Sequence, residues 1–153
     1  MLLIGCGNRN RGDDGAGVLV AERVRELGIR AEICTGEALA LIEAWCGFDD
    51  VVIVDAVVTG APAGKVWRWE GPDMKIQECS PVSTHGFGVA EAIKLARILG
   101  RLPKRLRMFG IEGRQFAVGT DVSPETLRAV EELTRQLTEE EAKQLPTPVV
   151  EYL

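Results

Sequence analysis

The chain has 153 residues, with 18 Lys plus Arg against 23 Asp plus Glu, a net charge of -5 and 46% hydrophobic residues. That length carries one hydrophobic core and excludes a cofactor domain beside a separate substrate domain, so a single domain over 1–153 is expected. The acidic balance opposes nucleic acid or an anionic membrane as partner.

Apolar runs alternate with amphipathic stretches, the pattern of a parallel sheet covered by helices. Leu2-Leu3-Ile4-Gly5-Cys6 reads as a fully buried strand. A helix over about 14–27 follows, with Ala16, Val20, Val24 and Leu27 on its core face and Gly28 as its stop. A short strand over 31–35 leads to a helix over about 37–45. Val51-Val52-Ile53-Val54-Asp55 is then a buried strand of β-branched residues ending in a carboxylate. After the turn-rich 59–64 segment, Lys65-Val66-Trp67-Arg68-Trp69-Glu70 alternates with period two and reads as an edge or antiparallel strand. A buried helix over about 89–99 and a last core strand over 106–111 come next. Ser123 as N-cap and Pro124 at the first position open the final helix, with Leu127, Val130, Leu133 and Leu137 on its apolar face.

One histidine, His85, excludes an HExxH motif and a self-sufficient zinc protease. Cys6, Cys34, Cys46 and Cys79 lack CxxC spacing, so reduced, packed thiols are expected. Met1 runs directly into Leu2-Leu3-Ile4 with no basic region and no long apolar run, so neither a signal peptide nor a membrane span is expected, and the expected compartment is the cytoplasm.

The first strand-to-helix turn holds Gly5 and Gly7, but a dinucleotide fingerprint needs a third glycine where Asn10 stands. Asp13 and Asp14 at the helix start would also repel a pyrophosphate, which excludes nucleotide phosphate there. Capping the helix is an equal alternative for Asp13. Asp55 ends its strand where open α/β sheets place their ligand crevice, and Asp14 reaches the same crevice if the first and third strands are neighbours; a turn-forming role is the alternative for Asp55. His85 lies in a glycine-flanked loop before a buried helix, where a ligand role and a hydrogen-bonded structural role are equal alternatives. Asp14, Asp55 and His85 together make a two-oxygen, one-nitrogen set suited to a divalent transition metal, too thin for a permanent one and better suited to a metal held by a partner. Glu112 is a further acid at the same edge, equally readable as a loop residue. Arg9 and Arg11 read as solvated rather than substrate-orienting, and Trp67 and Trp69 as packing or interface.

These residues resemble the [NiFe]-hydrogenase maturation endopeptidases. The likeness rests on Gly7-Asn8, Gly12-Asp13-Asp14-Gly15-Ala16-Gly17, Ile53-Val54-Asp55-Ala56, Ser83-Thr84-His85, Phe109-Gly110-Ile111-Glu112-Gly113 and Ser123-Pro124, spread over about 1–140. The resemblance implies a three-layer α/β fold, a mostly parallel five-stranded sheet with helices on both faces and one antiparallel or edge strand. It implies an aspartyl-type endopeptidase that removes a C-terminal extension from the nickel-loaded large-subunit precursor, with nickel supplied by that precursor. It places Asp14, Asp55 and His85 in contact with nickel and in the catalytic role, in a protein that is monomeric when free. Thr35-Gly36-Glu37 departs from the Asp-Gly-Gly of many members. Water activated by the metal and water activated by a carboxylate are both open. A non-enzymatic nickel chaperone or precursor-binding module on the same fold is the alternative function.

Overall fold

Three apolar runs become strands buried on both faces in the computed structural model, which describes residues 1–71 and 86–144. They are β1 (Leu2–Cys6), β3 (Asp50–Val57) and β5 (Arg105–Glu112). Two half-exposed strands, β2 (Ala31–Cys34) and β4 (Val66–Glu70), form the edges. The sheet order is β2-β1-β3-β5-β4, with every pairing parallel except β4 against β5. Period-two alternation in 65–70 thus marks an antiparallel edge strand, as expected when only one face packs on the core.

The helices are α1 (Ala16–Glu26), α2 (Ala38–Trp45), α3 (Gly86–Leu99) and α4 (Pro124–Gln144), with a 3-10 turn at Gly12–Gly15. Alternate residues of the central strands divide between two cores. Leu3, Val52, Val54, Phe109 and Ile111 pack under α1 and α4, against Val20, Val24, Val130, Leu133 and Leu137. Leu2, Ile4, Val51, Ile53 and Met108 pack under α2 and α3, against Leu41, Trp45, Val89 and Ile93. Each fully buried aliphatic side chain contributes about 2 kcal/mol, so the two apolar layers hold the sheet between them.

Three local expectations need correction. The first helix begins at Ala16 rather than Asp14, because the acidic pair forms the preceding 3-10 turn. Leu27 is 59% exposed: it is the C-cap of α1, where the chain turns through Gly28 and leaves the helical face. Cys46 is exposed rather than packed, since it caps the short α2. No helix among the described residues is long and apolar enough to cross a membrane.

Candidate functional site

The chain leaves β1, passes through α1 to β2 on one side, and returns to lay β3 on the other side of β1. This reversal is a strand switch point, and open α/β sheets bind ligands at the carboxyl ends of the strands that flank one, here β1 and β3. Two glycine contacts close α1 onto that end. A Cβ on Gly17 would lie 2.2 Å from the Val54 carbonyl oxygen and 2.6 Å from that of Cys6, so only glycine lets the helix start directly over both strands. Gly7, at φ +132°, has the Asp14 carbonyl oxygen 2.0 Å from where its Cβ would be. The glycine-rich turn therefore serves close packing of backbone, with no phosphate needed to explain it.

Asp14 lies in the 3-10 turn, 4% exposed, and its Oδ2 accepts the Asn8 N–H at 3.0 Å. Asp55 is fully buried on β3. It does not end that strand, which runs two residues further to Val57 because the pairing with β5 continues to Glu112. Asp55 follows Val54, the register partner of Gly5, and so stands beside Cys6. Asp14 thus lies against Gly7, just past the end of β1, and Asp55 lies beside Cys6, the last residue of that strand. His85 and Cys79 lie outside the described residues. The first turn of α3 packs close to this edge, where a Cβ on Gly88 would sit 1.9 Å from the Gly36 carbonyl oxygen. Among the described residues no three His, Cys, Asp or Glu side chains gather as metal ligands.

Cys6 and Cys34 are register partners on β1 and β2, a neighbourhood that their separation in sequence conceals. Burial pushes the Cys6 thiol well above its ordinary pKa, and the Asp55 carboxylate and Cys34 push it further. Burial likewise raises Cys34, with Glu32 adding to it. Both are thus neutral thiols near pH 7 and poor nucleophiles.

Asp13 does not cap α1. Its Oδ2 accepts the N–H groups of Arg114 at 2.8 Å and Gln115 at 3.1 Å, and its Oδ1 accepts the Ser123 N–H at 2.7 Å. The Ser123 hydroxyl, expected to cap α4, instead donates to Asp13 at 2.9 Å. Burial alone would raise the Asp13 pKa, but the Arg114, Ser123 and Gln115 N–H groups and the Ser123 hydroxyl outweigh it and hold the carboxyl below its ordinary value. Glu112, 1% exposed, accepts from the Thr59 N–H at 2.8 Å, from the Thr59 hydroxyl and from the Ala61 N–H at 3.2 Å. Sequence reasoning saw both acids but not these tasks, since the donors come from residues about 50 to 110 positions away.

The remaining candidates fall outside the chemistry. Arg9 pairs with Glu22 at 2.8 Å on the surface, and Arg11 donates to the Phe116 carbonyl at 3.3 Å. Trp67 and Trp69 stack with centroids 6.3 Å apart, and Lys65 lies 3.9 Å over Trp67; Trp69 packs on the α2 and α3 core. Sequence reading missed Arg107, fully buried on β5 and paired with Glu140 of α4 at 2.6 Å and Asp50 at 3.5 Å.

A doubly wound α/β protein with buried acids at its strand switch point, and a glycine-packed acidic turn in place of a phosphate loop, is the class that fold and site define. The family model described as hydrogenase maturation protease matches residues 36–140. The chain is 30% identical over 122 residues to Protein FrxA of Pyrococcus furiosus, covering 78% of this chain and 88% of that one. It is 24% identical to the Hydrogenase 2 maturation protease of Escherichia coli, covering 98% of each. The same fold is found in the [NiFe] hydrogenase maturation protease HybD from Thermococcus kodakarensis, with a TM-score of 0.74, 23% identity and coverage of 92% of this chain and 97% of that one. The chain belongs to the hydrogenase maturation protease family, and it is an enzyme of that proteolytic class.

Proposed function

We propose that the chain is the endopeptidase that removes a C-terminal extension from the nickel-loaded large-subunit precursor of a [NiFe] hydrogenase, with Asp14, Asp55 and His85 as its metal-contacting and catalytic residues. The observation that carries this reading is that two buried acids sit on the adjacent parallel strands' connections at the switch point, Asp14 in the turn between β1 and α1 and Asp55 two residues before the end of β3. Carboxylate oxygens and one imidazole suit a divalent transition-metal centre, and the precursor brings that centre with it. His85 supports the reading as the residue immediately before α3, whose first turn packs at Gly36 on the same edge.

Nickel in the precursor is then part of the substrate. Its capture by the side chains of this crevice seats the C-terminal segment over the strand ends, and orientation of the scissile bond is worth several powers of ten in rate. A carboxylate of the pair is suited to take a proton from the attacking water and pass it to the departing amine. The site is proposed to work in a cytoplasmic enzyme that is monomeric when free.

Purified protein mixed with nickel-loaded and nickel-free precursor tests this directly, with the precursor mass read at its C-terminus. The expected result is shortening of the nickel-loaded form alone, abolished in Asp14→Asn, Asp55→Asn and His85→Gln proteins that keep the wild-type circular dichroism. Equal cleavage of both precursors refutes nickel recognition. A stoichiometric complex without released peptide would establish a chaperone or binding module instead.

A further inference from the structure

We propose that Asp13 and Glu112 are positioning residues for hydrolysis: two buried carboxylates that, through Ser123 and Thr126, form one polar frame setting the geometry of the turn that carries Asp14 and of the loop that follows Asp55. The proposal rests on the reading of the site given above and adds the groups that hold it in place.

The frame is continuous. Asp13 grips the segment after β5 in both directions: its carboxylate accepts the Arg114 and Gln115 N–H groups, and its own N–H donates to the Gln115 carbonyl at 2.8 Å. The same carboxylate holds the start of α4 through the N–H and hydroxyl of Ser123. The Ser123 and Thr126 hydroxyls are 3.0 Å apart, and Thr126 donates to the Glu112 carbonyl at 3.4 Å. From there the Glu112 carboxylate ties down Thr59 and Ala61, while its main chain pairs with Gly64 at 2.7 Å and Lys65 at 2.8 Å. One end of the frame is bonded through a single peptide unit to Asp14. The other end fixes the chain four residues beyond Asp55.

The donors around Asp13 outweigh its desolvation, so the arrangement contributes stability, but stability is not all that it supplies. Two apolar cores already hold the sheet. What charged acceptors supply is directional: each carboxylate collects several N–H and O–H donors from separate loops and fixes their relative position, as a catalytic constellation requires to within about 0.5 Å. Neither carboxylate needs to touch the precursor for this task.

The test compares Asp13→Asn, Glu112→Gln and Ser123→Ala with the wild type on nickel-loaded precursor, at a temperature where thermal unfolding shows every protein to be folded. Leu137→Ala, a cavity in the core under α4, is the control for lost stability without a disturbed frame. Expected is a fall in kcat of at least about 10-fold for Asp13→Asn and Glu112→Gln with KM for the precursor held within about 2-fold, because misplaced groups lose rate rather than binding. Ser123→Ala falls less, and Leu137→Ala keeps the wild-type kcat. Unchanged kcat in the three frame variants overturns the proposal, as does an equal loss in Leu137→Ala. If the wild type itself does not process the precursor, the reading of the site fails and this proposal with it; active wild type with fully active variants refutes this proposal alone.

Discussion

Gly17→Ala is the sharpest single test of how the acidic turn is seated. The added methyl would meet the carbonyl oxygens of Val54 and Cys6 at 2.2 and 2.6 Å, where ordinary contact begins at 3.4 Å. Both obstacles are backbone of central strands, so the helix start must rise by about 1 Å, and overpacking against atoms that cannot yield costs about 3 kcal/mol. The alanine also restricts the unfolded chain, which offsets at most about 1 kcal/mol. The net loss of about 2–3 kcal/mol lowers the melting temperature by about 5–10 °C for a chain of this length. Because Asp14 lies three residues before Gly17, the same displacement moves its carboxylate, and processing falls with stability. Thermal unfolding by circular dichroism and precursor processing at a low, fully folded temperature measure the two effects. Gly28→Ala is the contrast: φ there is +87° with nothing within 4 Å of the new methyl, so only backbone strain of about 1–2 kcal/mol is incurred and processing is kept. A Gly17→Ala protein with wild-type melting temperature and wild-type processing would refute the packing argument.

Three other outcomes follow from the structure. The Asp13 carboxyl has a native pKa below its unfolded one, so its stabilisation is complete above the unfolded value and is lost as pH falls through the native value. Calorimetry should therefore show the melting-temperature gap between wild type and Asp13→Asn widest near neutrality and closing below about pH 4. Arg107→Ala removes the cation that faces Glu140 and Asp50 and should cost about 3 kcal/mol in urea unfolding, with Arg107→Met recovering most of it through packing. Iodoacetamide at neutral pH should label exposed Cys46 first and leave Cys6 unlabelled until urea unfolds the chain, as read by peptide mass spectrometry, because burial and Asp55 keep the Cys6 thiol protonated.

Local patterning carried the layout of the fold. Runs such as Val51-Val52-Ile53-Val54 have no polar face to turn outward, so they can only be strands covered on both sides. The alternation in 65–70 has one such face, so it can only be an edge. The same logic set Asp55 in the carboxyl half of its strand and Asp14 near the start of the first helix, and the fold shows Asp55 two residues inside β3 and Asp14 in the 3-10 turn before α1.

Tertiary structure alone decided what the other acids do. Asp13 is indistinguishable in sequence from a helix cap and Glu112 from a loop acid, because a carboxylate's role is set by which donors surround it. Those donors, on Ser123 for Asp13 and on Thr59 for Glu112, are brought near only when the helices close on the sheet. For the same reason the register of Cys6 with Cys34 and the burial of Arg107 under α4 are properties of strand order and helix packing, not of spacing. Periodicity and burial act along the chain, so the layers and the parallel core are legible in residue order. Which donors surround Asp13 and Glu112 depends on partners distant in sequence, so only the folded chain shows it.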